Sequence, residues 1–365
     1  MKLTVLFGTR PETIKCAPLI KEGKRRGHDV KIVFTGQHRE MALPLLDFFG
    51  LKPDVDLALM RPGQTLSTLS ALMLAELEKD PTLKDTDAVL VQGDTTSAFV
   101  GAYWAFLNRI PVIHLEAGLR TFDLSAPFPE EGNRQLIGRI ANLHLAPTKA
   151  AYQSLIKEAI NPELAHVIGN TGIDALEAVV GNRPTMPADV AAFVADSPMV
   201  LITGHRRENF GQGFENICQA IKQMAQDMPE VRFVYPVHLN PAVQGVVNSM
   251  LSGLSNVMLT TPADYLPFVA LQARADVILT DSGGIQEEAP TLRKPVLVMR
   301  ESTERPEGVA AGFAKLVGTD IEAIRLGVHT ALQEGCQGKG GNPYGDGKAS
   351  ARAWDIFENR FPLKG

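Results

Sequence analysis

Asp281-Ser282-Gly283-Gly284-Ile285-Gln286-Glu287-Glu288 is the stretch from which the fold of this chain is read. It follows an apolar run, Ala275 to Leu279 with Asp276 inside it, and that pattern predicts a buried strand. Ser282 is a residue type that caps helices, and Glu287 and Glu288 fall in the first turns of the helix it would open. Two glycines let backbone N–H groups approach a bulky anion, and a helix start adds about half a positive charge. A strand, a Ser-Gly-Gly turn and a helix start together make a candidate diphosphate cradle. Glu288, one turn on, is placed to accept hydrogen bonds from ribose hydroxyls rather than to touch phosphate. Taken alone, the stretch also reads as an ordinary glycine-containing strand-to-helix turn.

The same alternation runs through the rest of the chain. Leu3–Phe7, Val30–Thr35, Ala88–Gln92, Pro111–Leu115 and Leu143–Ala146 read as strands, with helical segments between them. The pattern restarts beyond His166–Thr171 with Met199–Thr203, Val231–Pro236, Val257–Leu259, Pro295–Met299 and the short pair Leu316-Val317. Strands alternating with helices predict an α/β fold of parallel, doubly wound sheets. We expect two Rossmann-like domains, residues 1–168 and 169–348, with a closing helix in 349–365 packed back on the first. With the two sheets facing each other, their polar strand-end loops would line one cleft, a favoured kind of ligand site.

Composition narrows the classes. The chain has 365 residues, 45% hydrophobic and 21% charged, with a net charge of −5. An acidic protein with 6% aromatics carries no electrostatic footprint for nucleic acid. Cys16, Cys218 and Cys336 lie far apart without metal-ligand spacing, as expected of isolated thiols in a reducing compartment. The start MKLTVLFGTRPE is too short in apolar residues for a secretory signal, and no run approaches the ~20 residues that span a bilayer. A cytoplasmic protein is expected.

Several strand ends carry chemistry. Arg10 and Lys15 bring two cations to the turn after the first strand, where cations are unfavourable at a helix start unless an anion is near. Asp94 and Glu116 fall at the carboxyl ends of strands, where open α/β sheets bind ligands, and Glu130 lies in a proline-bracketed loop. A flanking carboxylate pair would serve glycoside hydrolysis. Cations and a phosphate cradle point instead to a sugar activated by a nucleotide leaving group. His205, beside Arg206 and Arg207, suits neutralising a departing diphosphate or moving a proton, whereas His114 and His144 sit within apolar strands as core residues. Neither a metal site nor a redox cofactor is indicated: there is no HExxH, no paired Cys, and GTRPE is not GxGxxG.

Twelve stretches spread over the chain carry a resemblance: FGTRPETIK (7–15), GQHREM (36–41), VQGDTTS (91–97), HLEAGLRT (114–121), PFPEEGNR (127–134), GNTGIDAL (169–176), TGHRRENFG (203–211), YPVHLNP (235–241), DYLPF (264–268), TDSGGIQEEAP (280–290), VLVMRESTERPEG (296–308) and NPYGDG (342–347). In this order the chain resembles the non-hydrolysing UDP-N-acetylglucosamine 2-epimerases. The resemblance implies the glycosyltransferase-B type of fold, a homodimer, no cofactor, and interconversion of UDP-N-acetylglucosamine with UDP-N-acetylmannosamine for surface polysaccharide. It implies a route by elimination of UDP to 2-acetamidoglucal, reprotonation of C2 from the opposite face, and re-addition of UDP.

By motif, the resemblance makes Asp94, Glu116 and Glu130 the catalytic carboxylates and His205 the catalytic or leaving-group histidine. It assigns Arg10, Lys15, Phe268, Ser282, Gly283, Gly284, Glu288 and Arg305 to UDP. Gln37, Gln64, Arg206 and His238 fall in stretches resembling a regulatory site for UDP-N-acetylglucosamine. One departure is Ala263, where many relatives carry a Gln that contacts the nucleotide. Three alternatives stand beside this reading: a UDP-sugar glycosyltransferase of the same fold, a hydrolysing epimerase releasing free N-acetylmannosamine, and a catalytically silent nucleotide-sugar sensor. The carboxylate trio, the histidine and the lack of an appended kinase domain favour the epimerase.

Overall fold

The strand Lys2–Phe7 (β1) is buried at every position but its first, as a central strand of a parallel sheet covered on both faces must be. A computed structural model of the chain describes residues 1–61, 63–204, 206 and 209–360. Around β1 the first sheet adds Asp29–Phe34 (β2), Val55–Asp56 (β3), Ala88–Gln92 (β4), Val112–Leu115 (β5), Leu143–Ala146 (β6) and Ala165–Val167 (β7). Their order is β3-β2-β1-β4-β5-β6-β7, every pair parallel. Two of these strands, β3 and β7, were not read from the sequence, because two or three residues are too few to show a period.

A second sheet consists of Met199–Thr203 (β8), Arg232–Pro236 (β9), Val257–Thr260 (β10), Val277–Thr280 (β11), Val296–Val298 (β12) and Ala314–Leu316 (β13). It is parallel in the order β10-β9-β8-β11-β12-β13, which repeats the winding of the first six strands of the other sheet. In each sheet the order reverses once, between β1 and β4 and between β8 and β11. Ligands of open α/β sheets bind outside the strand ends at such reversals.

The chain divides into two units, Met1–Ala175 with the segment from Gly345 onward, and Leu176–Tyr344. The helix Ala349–Arg360 belongs to the first. Its Trp354 is fully buried and donates from Nε1 to the Leu19 carbonyl at 2.8 Å. A Cβ at Gly23 would come within 2.0 Å of the Trp354 ring, so a glycine is what lets the indole seat there. Asp174 fixes the start of the helix by accepting from the N–H groups of Ala349 and Ser350 at 3.2 and 2.7 Å. Among the described residues, no helix is long and apolar enough to cross a membrane.

Candidate active site and nucleotide cradle

In the first unit the turn after β1 is built on Glu12. Thr9 caps the helix Arg10–Arg25, and Glu12 closes a reciprocal capping box, accepting from the N–H groups of Gly8 and Thr9 at 2.9 and 2.7 Å. Its other oxygen accepts from the Thr95 hydroxyl at 2.6 Å. Thr95 itself caps the helix Thr96–Leu107 after β4. Glu12 therefore ties the turn carrying Arg10 to the turn carrying Asp94. Burial raises its pKa against the pull of these hydrogen bonds.

Asp94 follows Gly93, whose φ of 67° takes the chain sharply out of β4. Asn133 Nδ2 donates to the Asp94 carbonyl at 2.8 Å, and the Arg134 guanidinium pairs with its carboxylate at 3.0 Å. Glu116 follows β5 in the left-handed region, with φ 62°, and accepts from Lys15 Nζ and, at 2.9 Å, from Gln92 Nε2. Glu130 opens the helix Glu130–Ile140. The neighbouring Glu131 is fully buried and accepts from the N–H groups of Thr121 and Phe122 at 3.0 and 3.1 Å, which fastens the preceding loop to this helix.

Burial pushes Asp94 up to about 6, with the Arg134 cation opposing and the Glu116 and Glu130 carboxylates adding to the rise. Asp94 thus feels both of the other predicted acids, and it is poised to change protonation near neutrality. His114 and His144 are buried in β5 and β6 and are held neutral by burial, at about 3 and about 4. His114 Nε2 donates to the Gly93 carbonyl at 2.7 Å, while its Nδ1 has no hydrogen-bond partner among the described residues.

In the second unit the turn after β11 is pinned by Thr280, whose hydroxyl accepts from the Ser282 N–H at 3.0 Å. Ser282 stands at the cap position of the helix Gly283–Glu288, but its side chain makes no capping hydrogen bond, so the capping expected of it does not occur. A Cβ at Gly283 would lie 2.7 Å from the Arg305 guanidinium carbon; the glycine makes room for the arginine. Arg305 donates from Nε to Glu287 at 2.9 Å and from Nη1 to Glu304 at 2.7 Å. Glu288 is oriented by Tyr265 Oη at 3.1 Å and Gln272 Nε2 at 2.7 Å. Gly284 is exposed, and Phe268 is half-buried on the helix Tyr265–Arg274. Ala263 packs against the apolar cluster beneath.

Gln37 accepts from Ser97 Oγ at 3.1 Å, and Gln64 folds back on the Arg61 N–H at 3.3 Å. His238 is exposed, its Nδ1 accepting from the Asn240 N–H at 3.1 Å, and the Arg206 N–H donates to the buried Asp281 at 2.8 Å. His205 lies outside the described residues. Among the described residues no group of three or more His, Cys, Asp or Glu could hold a metal ion. Sequence reasoning missed Glu12, Gln92, Asn133 and Arg134 as site residues. All four stand inside the quoted stretches, but only the folded chain shows what they touch.

The chain as a whole is similar to known proteins. A family model for UDP-N-acetylglucosamine 2-epimerase matches residues 21–358. The UDP-N-acetylglucosamine 2-epimerase of Salmonella typhimurium strain LT2 is 49% identical over 367 residues, covering 96% of this chain and 97% of its own. The chain belongs to the UDP-N-acetylglucosamine 2-epimerase family. The Escherichia coli K12 member is 46% identical over 371 residues, covering 98% of this chain and 99% of its own. The crystal structure of the Neisseria meningitidis UDP-GlcNAc 2-epimerase bound to UDP-GlcNAc superposes with a TM-score of 0.89 at 41% identity, over 98% of this chain and 100% of that one. The fold is therefore glycosyltransferase-B-like, made of two Rossmann-like units with parallel sheets.

Proposed function

We propose that this chain is an isomerase that interconverts UDP-N-acetylglucosamine and UDP-N-acetylmannosamine, supplying precursors for surface polysaccharide. Membership in the family supports the reaction. The observation that carries the chemistry is Asp94, pushed to about 6 by burial and by the nearby Glu116 and Glu130 carboxylates. The C2 proton is not adjacent to a carbonyl, so simple enolate formation is closed. The route consistent with the site is elimination of UDP to 2-acetamidoglucal, followed by protonation of C2 from the other face and re-addition of UDP. The carboxylates carry the protons as a set. A group titrating near neutrality exists in both forms during turnover, as a proton carrier must. Lys15 and Arg134 keep the negative charge of the cluster tolerable.

UDP is assigned to Ser282, Gly283, Gly284, Glu288, Arg305 and Phe268, with Arg10 and Lys15 as further cations. Arg305, seated over Gly283, supplies guanidinium donors suited to phosphate oxygens. His205 assists the departing diphosphate. Gln37, Gln64, Arg206 and His238 form a second, activating site for UDP-N-acetylglucosamine, which initial rates would reveal as a sigmoidal dependence on that sugar nucleotide. Buried, unpaired Cys16 and Cys218 fit a reducing, cytoplasmic setting. Tyr103, Phe106, Leu107 and Leu136 are exposed on the helices Thr96–Leu107 and Glu130–Ile140, which pack together, and a second copy of the chain would cover them in a homodimer.

Proton NMR of the purified protein with UDP-N-acetylglucosamine in D2O tests the reading. Appearance of UDP-N-acetylmannosamine with deuterium at C2, settling to a stable mixture, is expected. UDP and free sugar as main products would replace it with hydrolysis. No change despite UDP binding would favour a transferase or sensor.

A further inference from the structure

Arg305 is braced from its backbone as well as its side chain, and the brace comes from Asn342-Pro343-Tyr344, a stretch given no role above. Tyr344 is buried, 3% exposed. Its hydroxyl accepts from the Gly308 N–H at 2.8 Å and donates to the Arg305 carbonyl at 2.9 Å. Burial raises the phenol's pKa, so the proton it donates stays in place. Asn342 accepts from the Tyr344 N–H at 2.9 Å and donates from Nδ2 to the Glu287 carbonyl and to Thr291 Oγ1 at 2.8 and 2.7 Å. Glu287 is the residue whose carboxylate receives Arg305 Nε. The segment therefore fixes the backbone of the arginine and the backbone of its carboxylate partner together. Gly308 is part of the fit, since a Cβ there would sit 2.9 Å from Tyr344 Oη.

We infer that Tyr344 and Asn342 are positioning residues for Arg305, setting its guanidinium where it grips the diphosphate and so governing how tightly UDP is retained. This rests on the assignment of Arg305 to UDP. The elimination route gives retention a particular weight, because UDP must stay bound while 2-acetamidoglucal waits for its proton. An arginine displaced by even ~1 Å grips less well, and the intermediate pair then escapes more often.

The test is titration calorimetry with UDP on the full chain, together with steady-state kinetics and product analysis, for Tyr344→Phe, Gly308→Ala, Arg305→Ala and the double variant Tyr344→Phe/Arg305→Ala. Tyr344→Phe and Gly308→Ala are expected to weaken UDP about ten-fold each, the scale of leaving buried polar groups unpaired or misplaced. KM should rise more than kcat falls, and a larger share of turnovers should release UDP and 2-acetamidoglucal. In the Arg305→Ala background, Tyr344→Phe should add nothing. A lowered melting temperature with wild-type UDP affinity would overturn the inference, as would an equal loss of affinity in both backgrounds. If Arg305→Ala itself binds UDP normally, the assignment of Arg305 fails and the inference falls with it, a result distinct from the other two. Should Tyr344→Phe not fold, Gly308→Ala and Asn342→Asp carry the same comparison, the latter losing the donor to the Glu287 carbonyl.

Discussion

The two sheets share one winding, yet the loops at their points of reversal have opposite chemistry. After β1 and β4 stand carboxylates withdrawn from solvent: the buried Glu12, held by backbone N–H groups and the Thr95 hydroxyl, and the partly buried Asp94, paired with Arg134, while nearby Glu116, also partly buried, pairs with Lys15. After β11 stand a serine, two glycines and an arginine lying where a side chain at Gly283 would otherwise be. Topology supplied the same position twice, and residue type decided what each position does. An acid cluster is an arrangement for moving protons; a glycine turn under a guanidinium is one for holding an anion. The comparison predicts that damage to the two loops separates into different kinetic constants.

The largest effect is expected in the acid cluster. Asp94→Asn, Glu116→Gln and Glu130→Gln should each lower kcat by roughly 10²–10⁴-fold, the usual worth of a positioned proton carrier. UDP affinity by calorimetry should stay within a few-fold of wild type. Near-normal turnover in all three would remove the proton-carrier assignment. Weak UDP binding with intact turnover would reverse the division of labour between the two loops.

Next come the cradle variants. Ser282→Trp fills the turn and should abolish UDP binding. Gly283→Ala brings a methyl group into the space of the Arg305 guanidinium and should weaken UDP by about ten- to a hundred-fold, since charge-assisted hydrogen bonds are among the strong ones. Unaltered UDP affinity in Gly283→Ala would show that the position of Arg305 does not matter to the nucleotide.

How far the sequence could be read follows from the range of the interactions. Strands such as β1 and β4 were legible because burial on both faces makes nearly every position apolar, Thr4 and the end residues Lys2 and Gln92 apart. The helix Ala188–Val194 was not, because it is short and lies in a stretch, 181–198, rich in Pro, Ala and Asp, where no apolar period stands out. Asp94 and Glu116 could be picked out as polar residues ending apolar runs. Arg134 could not, because its meaning lies in a contact between a helix and a distant strand-end loop. Tyr344 is a similar case: nothing local says that its hydroxyl reaches the Arg305 carbonyl. Even Ser282, correctly located at a helix start, is not bonded as its residue type suggests, since it is its backbone N–H that the turn uses.

A subtler expectation concerns stability. Burial lifts Asp94 from its ordinary 3.8 to about 6, so the folded protein holds this proton more tightly than the unfolded chain does. The associated stability is complete below about pH 4 and is lost as pH rises through about 6. At pH 7.5 the ionised carboxylate then costs on the order of 3 kcal/mol. Asp94→Asn, which cannot ionise, should therefore be inactive but more stable than wild type at pH 7.5, with the gain gone at pH 4. Urea melts at the two pH values would show it. Ser282→Ala in the glycine cradle removes no ionisable group, so it should show no such pH-dependent gain.

The finest discrimination comes from Arg134. Its cation is the main influence holding Asp94 down against burial. Replacing it by Gln removes the charge, and the Asp94 pKa must rise further, by about one unit on the scale of a single nearby charge. The pH profile of kcat/KM should then show its inflection near pH 6 moved upward in Arg134→Gln. The displacement of that inflection measures how strongly the Arg134 cation acts on Asp94. Arg305→Gln, changing the same kind of cation in the other unit, should weaken UDP and leave that inflection where it was. An equal shift from both arginines would mean that the inflection reports nucleotide binding instead, and the contrast between the two loops would lose its chemical basis.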